Sequence, residues 1–266
     1  FFHVGTSAEL LSGLTTETRT SALYQFQNQV RTLAPSTLNL GSGFVFNSIL
    51  TGEPLQFGPA TLLEGVQASC PLTLAGQNLV TGLCAEVTIP VVLPEKIGLL
   101  LLPTGERAWV AALYGLHDNF QSEFASASCD FLNEPRERFF QRTGLGPSDL
   151  WEKGAQTLHR ARLWLPQSAN DAVRHALALL PGSAVPLEPT WLHGERLSFA
   201  DLPGVVNHQR QQEQAEHLHR LWSISKPFER LLAEPDMEAN EFVQQVRVRK
   251  EAALLLKDLE AHLKPT

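Results

Sequence analysis

The stretch TLNLG at residues 37–41 recurs 17 residues later as PLQFG at 54–58 and, after another 17 residues, as PLTLA at 71–75. Fixed self-similarity is typical of solenoids, in which each coil stacks its apolar side chains on the coil below. Within each copy apolar residues alternate with other residues, and this period of two is typical of a strand with one buried face. The repeats predict a single-stranded β-helix with short coils, in which equivalent leucines stack: Leu38, Leu55 and Leu72.

The 17-residue offset extends beyond these three copies. It carries Val45-Phe46 onto Leu62-Leu63 and then onto Leu79-Val80, and a weaker fourth copy begins at Thr88-Ile89-Pro90-Val91. Glycines recur where the coils are predicted to turn corners, namely at Gly41, Gly58, Gly65 and Gly82. An antiparallel sheet with evenly spaced strands is the alternative interpretation, but it makes the repeated matches a coincidence.

The composition is that of a globular protein with a hydrophobic core. Of the 266 residues, 43% are hydrophobic and 18% are charged, and the formal net charge is −7. Because nucleic-acid-binding surfaces are usually basic, this charge argues against a nucleic-acid partner. The apolar run Ile97–Leu102 ends at Pro103, and no stretch reaches membrane-spanning length, so no membrane partner is expected.

The cysteines and the first residues indicate where the chain belongs. Cys70, Cys84 and Cys129 form neither a disulfide framework nor a C-x-x-C pair, which predicts a reducing, cytoplasmic location. The chain opens with Phe1-Phe2-His3, without an initiator methionine or a signal-peptide pattern, and we therefore expect it to be part of a longer polypeptide.

Three regions are predicted along the chain. Residues 1–36 begin with an apolar strand and continue into a helix for which Thr6 or Ser7 is a suitable N-cap. Residues 37–120 hold the β-helix, and residues 121–266 form a helical region. The predicted fold class is therefore mixed β and α, a single-stranded β-helix (solenoid) followed by an α-helical region.

Several elements inside these regions can be placed more closely. A hairpin is predicted from Leu99–Leu102 and Trp109–Tyr114, joined by a turn at Pro103-Thr104-Gly105-Glu106. Short helices are expected at Glu134–Arg142 and Asn170–Leu180. Two longer helices close the chain, one with Ala215, Leu218 and Trp222 on a shared face, and one running from Phe242 to Leu263.

Complete catalytic and metal-binding motifs are not found in the sequence. It contains no phosphate loop, no dinucleotide-binding fingerprint and no G-x-S-x-G nucleophile elbow. Histidines cluster around His217 and His219, but only Glu213 and His217 are well spaced for a shared ligand on a helix. A solvated helix face explains this cluster more simply, so no metal site is predicted.

Three groups of polar residues are candidates for substrate binding, each with a simpler structural alternative. Gly5-Thr6-Ser7 at a strand-to-helix junction can offer N–H groups and hydroxyls to an anion, or can simply cap the helix. Asp118-Asn119 can bind a sugar hydroxyl, or can form a turn. Three arginines are suited to phosphate or to surface ion pairs: Arg138, Arg142 and Arg162.

Five segments together resemble one family. They occur in the family's order and spacing: FHVGTSAELL at 2–11, YGLHDN at 114–119, FFQRTG at 139–144 with DLW at 149–151, ARLWLP at 161–166, and RLSFADL at 196–202. The chain is similar, from Phe2 to about Trp222, to the fucose-1-phosphate guanylyltransferase (GDP-fucose pyrophosphorylase) region. Stand-alone pyrophosphorylases, bifunctional fucokinase/pyrophosphorylases and L-fucokinases share that region, and segment 139–151 is most similar to the fucokinase branch.

The resemblance implies that the chain is the middle of such a protein: the end of the transferase core, a β-helix and a helical connector. The implied reaction of the parent protein joins GTP and L-fucose 1-phosphate into GDP-L-fucose and pyrophosphate, with Mg²⁺ as cofactor, and an L-fucose kinase is fused in part of the family. Its glycine-rich nucleotide loop and its kinase module match no part of this sequence, so we expect the chain alone to be inactive. The matched positions suggest His3, Gly5, Thr6 and Ser7 as neighbours of the sugar-phosphate pocket.

Two other classes of function are weighed against this one. Solenoid faces commonly mediate self-association, so the chain is alternatively an interaction module that forms a homo-oligomer through its β-helix. A β-helix acyltransferase is disfavoured, because such enzymes normally use a histidine between coils and no histidine lies between Thr37 and Pro103.

Overall fold

A computed structural model describes residues 7–15, 32–34, 38–39, 42–123, 130–152 and 154–233. The chain divides into two compact units, Phe1–Ala215 and Glu216–Thr266. The first unit contains all of the described strands. Among the described helices, none combines the length and the hydropathy that a membrane span requires.

The first unit is a coil of short strands followed by a long hairpin and short helices. The strands are β1 (Phe44–Phe46), β2 (Ile49–Leu50), β3 (Leu55–Phe57), β4 (Leu62–Glu64), β5 (Gln67–Ala68), β6 (Leu72–Leu74), β7 (Leu79–Thr81), β8 (Val91–Leu93), β9 (Ile97–Thr104), β10 (Ala108–Gly115), β11 (Asp130–Phe131) and β12 (Glu134–Pro135). The helices of this unit are α1 (Ser7–Thr15), α2 (Arg136–Thr143), α3 (Pro147–Leu150), α4 (Ala169–Ala178), α5 (Pro189–His193) and α6 (Leu202–Val205), with a 3₁₀ turn at Leu158–Arg160; a seventh helix, α7 (His208–Ala233), begins in the first unit and ends in the second.

Strands β1 to β9 form the predicted β-helix. They pair in parallel on three faces, β1-β4-β7-β9, β2-β5 and β3-β6-β8. On the first face the inward side chains are in register and almost completely buried, which is the stacking that a solenoid core requires: Val45, Leu63, Val80 and Leu99. The mixed fold with a β-solenoid and helices is therefore confirmed.

The coil length is less uniform than the sequence repeat suggested. Leu55 pairs with Leu72, as the 17-residue offset predicts, but Val45 pairs with Leu63 rather than Leu62, and Leu72 pairs with Val91 rather than Ile89. Because a slip of one residue would turn every inward side chain outward, the strands keep their alternation and the extra residues are taken up between them. The predicted matches of the first and fourth copies were wrong by one and two residues.

The predicted stacking of three leucines is observed for two of them. Leu55 and Leu72 are paired residues of β3 and β6, and both pack in the main core. Leu38 is partly buried and packs against the same core, although it lies outside the strands. The solenoid core therefore continues to the first copy of the repeat.

Left-handed backbone conformations mark two corners of each coil. Asn47, Gly65 and Gly82 occupy one corner with φ values of 45°, 63° and 71°. Ala60, Gln77 and Lys96 occupy another, with φ values of 53°, 50° and 61°. The predicted corner glycines thus include Gly65 and Gly82, whereas Gly58 is required because a Cβ there would lie 2.1 Å from the Ala75 carbonyl oxygen. Gly41 lies outside the described residues.

The hairpin that ends the solenoid matches its prediction, and so do two of the helices. β9 and β10 are antiparallel strands paired from Ile97–Gly115 to Thr104–Ala108. The helix predicted at 134–142 is observed as α2, with Glu134 in β12 instead, and the helix predicted at 170–180 is α4. Of the two long C-terminal helices, the first is α7, and the second lies outside the described residues, as does the strand expected before Gly5.

Candidate functional site

Helix α1 lies on the outer face of the β1-β4-β7-β9-β10 sheet. The strand registers place one outward row of residues across all five strands, in the order Phe44, Leu62, Leu79, Gly98 and Tyr114. Ala8 and Leu11 of α1 pack in one apolar cluster with this row. The start of the chain is thereby held against the solenoid by the burial of apolar side chains.

Gly98 and Tyr114 form a matched pair within that row. A Cβ on Gly98 would lie 2.3 Å from Cζ of Tyr114, so the phenol ring covers the strand where Gly98 has no side chain. Burial raises the pKa of Tyr114 to about 12, and the nearby Ser7 side chain acts in the opposite direction.

Ser7 is the described member of the predicted sugar-phosphate group. It is the first residue of α1. His3, Gly5 and Thr6 lie outside the described residues. Their binding role, and that of Ser7, stays a prediction.

An aromatic cluster continues from Tyr114 into the rest of the unit. Phe199 makes edge-to-face contacts with Tyr114, Phe120 and Trp164, with ring centroids 6.3, 4.9 and 5.5 Å apart. Tyr114, Trp164 and Phe199 each belong to a different family-like segment, and Phe120 directly follows the segment of Tyr114. With Ser7, which belongs to segment 2–11, four of the five segments meet in this region. The fifth segment, 139–151, joins them through the main chain, because Arg162 N–H donates to the Leu150 carbonyl.

Asp118 and Asn119 follow β10 and form turns. Asp118 Oδ2 accepts hydrogen bonds from the N–H groups of Gly115 at 2.7 Å and Leu132 at 3.1 Å, which ties the end of β10 to the β11–β12 turn. Asn119 is exposed, and its Oδ1 accepts from the Gln121 N–H at 3.1 Å. The turn alternative is thus observed for both residues, whereas their binding of a sugar hydroxyl stays a prediction.

The Asp118 carboxyl is a buried acid with one unsatisfied oxygen. Its Oδ1 is buried and has no hydrogen-bond partner in the described part of the chain. Burial raises the pKa of Asp118 from its ordinary value of 3.8 to about 6, although the backbone hydrogen bonds oppose the shift. The folded protein therefore binds a proton at this carboxyl more tightly than the unfolded chain does.

We expect Asp118→Asn to remove a pH-dependent loss of stability. In the wild type, the contribution of this proton is complete below about pH 4 and is lost as the pH rises through about 6, a change of about 3 kcal/mol in the free energy of unfolding. The amide oxygen of asparagine still accepts from Gly115 and Leu132. Urea unfolding between pH 4 and pH 7 measures the effect, with the exposed Glu106→Gln as control. Parallel pH profiles for the wild type and Asp118→Asn would contradict it.

Arg196 holds two helices and one loop together rather than offering its charge to a ligand. Its Nε donates to the Arg162 carbonyl at 3.0 Å, and Nη1 donates to the carbonyls of Trp191 at 3.1 Å and Leu192 at 3.0 Å. Nη2 donates to the Asp149 carbonyl, and the guanidinium stacks 4.5 Å from the Trp191 ring centroid. Burial lowers the pKa of this guanidinium, and four main-chain acceptors take up its donors.

The arginines proposed from sequence are engaged in structural contacts or exposed. Arg142 pairs with the partly buried Glu134 and donates to a main-chain carbonyl, and Arg162 pairs with Glu152 at the surface. Arg138 lies exposed on α2. The ion-pair alternative is therefore observed for two of the three.

The described residues contain no group of three or more His, Cys, Asp or Glu side chains that could hold a metal ion. Glu213 accepts a hydrogen bond from Gln209 one helical turn earlier on α7. This agrees with the interpretation of that segment as a polar helix face.

Sequence reasoning missed the contacts that join these segments. Tyr114 and Arg196 were recognised as parts of family-like segments, but neither was given a role. The contact of Tyr114 could have been predicted from the hairpin. Extending the register of the hairpin pairs Tyr114 with Gly98. A glycine opposite an aromatic residue in a strand pair indicates that the aromatic ring covers the glycine. No local sequence pattern indicates the role of Arg196, since its acceptors lie in three separate segments of the chain.

Comparison with known proteins identifies one family. A family model described as the fucose pyrophosphorylase domain matches residues 1–167 of the chain. This region includes four of the five family-like segments, and segment 196–202 lies beyond it. Searches of curated proteins and of solved structures return no match.

Proposed function

The chain belongs to the fucose pyrophosphorylase domain family, and from this premise we propose that it is part of an enzyme that makes GDP-L-fucose and pyrophosphate from GTP and L-fucose 1-phosphate. The family match over residues 1–167 is the observation that carries the proposal, and it assigns the chain to fucose salvage. The β-solenoid at the position expected for this family supports it.

The described residues are suited to a scaffold. Phosphoryl-group chemistry of this kind needs a divalent ion and cationic groups around the phosphates during in-line attack. Arg196 and Arg142 are committed to main-chain and carboxylate partners, and the described residues form no cluster for a metal ion. We therefore assign Mg²⁺, the nucleotide and the reacting groups to parts of the parent protein other than the described residues.

The chain's own contribution to substrate binding is placed at the start of α1. His3, Gly5, Thr6 and Ser7 are the proposed neighbours of the sugar phosphate, because N–H groups at a helix N-terminus favour an anion. Asp118-Asn119 is the proposed contact to a sugar hydroxyl. We further propose that an L-fucose kinase is fused to the parent protein, that the chain self-associates through its β-helix, and that the protein is located in the cytoplasm.

The test uses the full protein that contains this chain. Replacing Thr6 and Ser7 with alanine is expected to raise KM for L-fucose 1-phosphate about tenfold, because anchoring hydrogen bonds to the phosphate are lost, and to leave KM for GTP unchanged. The matched control is Ser148→Ala with Thr190→Ala, which removes two exposed hydroxyls from α3 and α5. An unchanged KM for L-fucose 1-phosphate would overturn the pocket assignment. GDP-fucose formation by the 266 residues alone would overturn the scaffold role.

A further inference from the structure

We propose that Asp118 and Asn133 form a pH-sensitive lock at the end of the solenoid, in which a protonated Asp118 carboxyl donates a hydrogen bond to the side-chain oxygen of Asn133. The lock joins three parts of the chain: the end of β10, the turn between β11 and β12, and the solenoid corner at Lys96. The inference concerns the fold of this region and does not rest on the proposed function.

The side-chain oxygens of the two residues meet above Gly115. A Cβ on Gly115 would lie 2.5 Å from Oδ1 of Asp118 and 2.7 Å from Oδ1 of Asn133. Because glycine has no side chain, both oxygens can occupy this space at the end of β10. The fold therefore brings a carboxyl oxygen and an amide oxygen together at one point.

The amide of Asn133 can present only its oxygen to Asp118. Its Nδ2 donates to the carbonyl oxygens of Glu95 at 3.3 Å and Lys96 at 3.1 Å. A flipped amide would place its oxygen against these two carbonyls, which accept hydrogen bonds and cannot donate them. The two bonds to the solenoid corner therefore turn Oδ1 of Asn133 toward the carboxyl.

The Asp118 carboxyl supplies the donor that this arrangement lacks. Its Oδ2 accepts from the N–H groups of Gly115 and Leu132, whereas its buried Oδ1 meets no donor in the described part of the chain. Two buried oxygens that face each other are unfavourable unless one carries a proton. A carboxylic acid has one O–H group to donate, and an amide oxygen accepts it. The raised pKa of this carboxyl, about 6, agrees with a proton held there by the fold.

The lock closes in acid and loosens as the pH rises. A carboxyl whose pKa is raised by folding stabilises the fold while it is protonated, and this contribution is lost as the pH rises through about 6. Above that pH a carboxylate faces the amide oxygen, and the carboxyl is held by the two N–H groups on Oδ2. The junction between β10 and the β11–β12 turn is therefore tighter in acid.

Few other charged groups come with the elements around this carboxyl. They are Asp130 on β11, Glu134 on β12, Glu95 and Lys96 at the solenoid corner, and His117 beside it in the chain. Asp130 opposes ionisation of Asp118 by charge repulsion, and Glu134 is paired with Arg142. His117 is exposed. Because Asp118→Asn leaves all of these groups in place, it separates their titration from that of the lock.

The experiment is a pH titration of the full chain, followed by NMR of the side-chain carbonyl carbons of aspartate and asparagine. The Asp118 resonance, identified by its absence in Asp118→Asn, is expected to titrate with a midpoint of about 6. The Asn133 carbon should follow the same midpoint in the wild type and stop titrating in Asp118→Asn. Asn133→Ala should lower the Asp118 midpoint by about one pH unit, because the proton loses its acceptor. Asn119→Ala, which removes an exposed amide next to Asp118, is the matched control and should leave the midpoint unchanged.

A variant of opposite sign distinguishes the contact from a general loosening of the turn. Asn133→Asp places a second carboxyl against Asp118 and should raise the Asp118 midpoint by about one pH unit, because like charges disfavour ionisation. A wild-type midpoint near the ordinary value of 3.8 would overturn the lock. An Asn133 carbon that does not follow the Asp118 midpoint would also overturn it, and this readout needs no change at Asn133.

Discussion

Replacing Arg196 with methionine is expected to lower the free energy of unfolding by about 3–5 kcal/mol, because it removes a buried cation that donates four hydrogen bonds to main-chain carbonyls. The side chain of methionine fills much of the same space, but it donates to none of the carbonyls of Asp149, Arg162, Trp191 and Leu192. Two of these carbonyls end α5 and one lies in α3, so the loss falls on helix ends as well as on loops.

Chemical denaturation of the purified chain measures this effect, followed by tryptophan fluorescence. Arg174→Met is the matched control, since Arg174 forms a solvent-exposed pair with Asp171 and should change stability by less than about 1 kcal/mol. Arg196→Lys should recover only part of the loss, because one ammonium group cannot reach acceptors spread around a planar fork. Equal stability of the methionine variant and the wild type would show that the four carbonyls find other partners.

Replacing Asn78 with alanine is expected to lower the free energy of unfolding by about 2–4 kcal/mol, through groups left unpaired inside the solenoid. Asn78 is fully buried. Its Nδ2 donates to the carbonyls of Pro94 at 2.7 Å and Ile97 at 3.0 Å, and its Oδ1 accepts from the Gly76 N–H at 2.9 Å. One amide therefore joins two successive coils at a corner of the solenoid.

Thermal and urea unfolding of the variant test this expectation. Gln56→Ala is the matched control, because it removes an amide from an exposed, outward position of β3. Asn78→Asp should also destabilise the fold, since a carboxylate places an acceptor where two carbonyls need donors. A loss for Asn78→Ala no larger than that for Gln56→Ala would contradict the structural role of this side chain.

The β-helix could be predicted from the sequence because its core repeats locally. Apolar residues alternate with others at Leu55 and Phe57 and again at Leu72 and Leu74, and this alternation predicts the strands. The spacing between the copies predicts the length of one coil. The registers of β1 and β8 could not be predicted from spacing alone. The inward side chains of each strand stay inward, and additional residues are accommodated at the corners between strands. The offset between paired residues therefore departs from 17 wherever a corner contains more residues.

The candidate site could be predicted only in part. Asp118 and Asn119 were identified as polar residues after a strand, and their turn contacts follow from local chemistry. The packing of Leu11 of α1 with Tyr114 joins residues more than a hundred positions apart, and it depends on the whole row of strands between them. A local sequence pattern does not predict such a long-range contact.

The sequence by itself determined the solenoid, the hairpin that ends it and the family of the chain, because these depend on periods and short segments that adjacent residues carry. The tertiary structure decided which polar side chains are free to meet a ligand. Arg196 and Asn78 donate to main-chain carbonyls, and Arg142 pairs with Glu134. The physical reason is that a buried donor or acceptor must be paired, and its partner is chosen by how distant parts of the chain pack together.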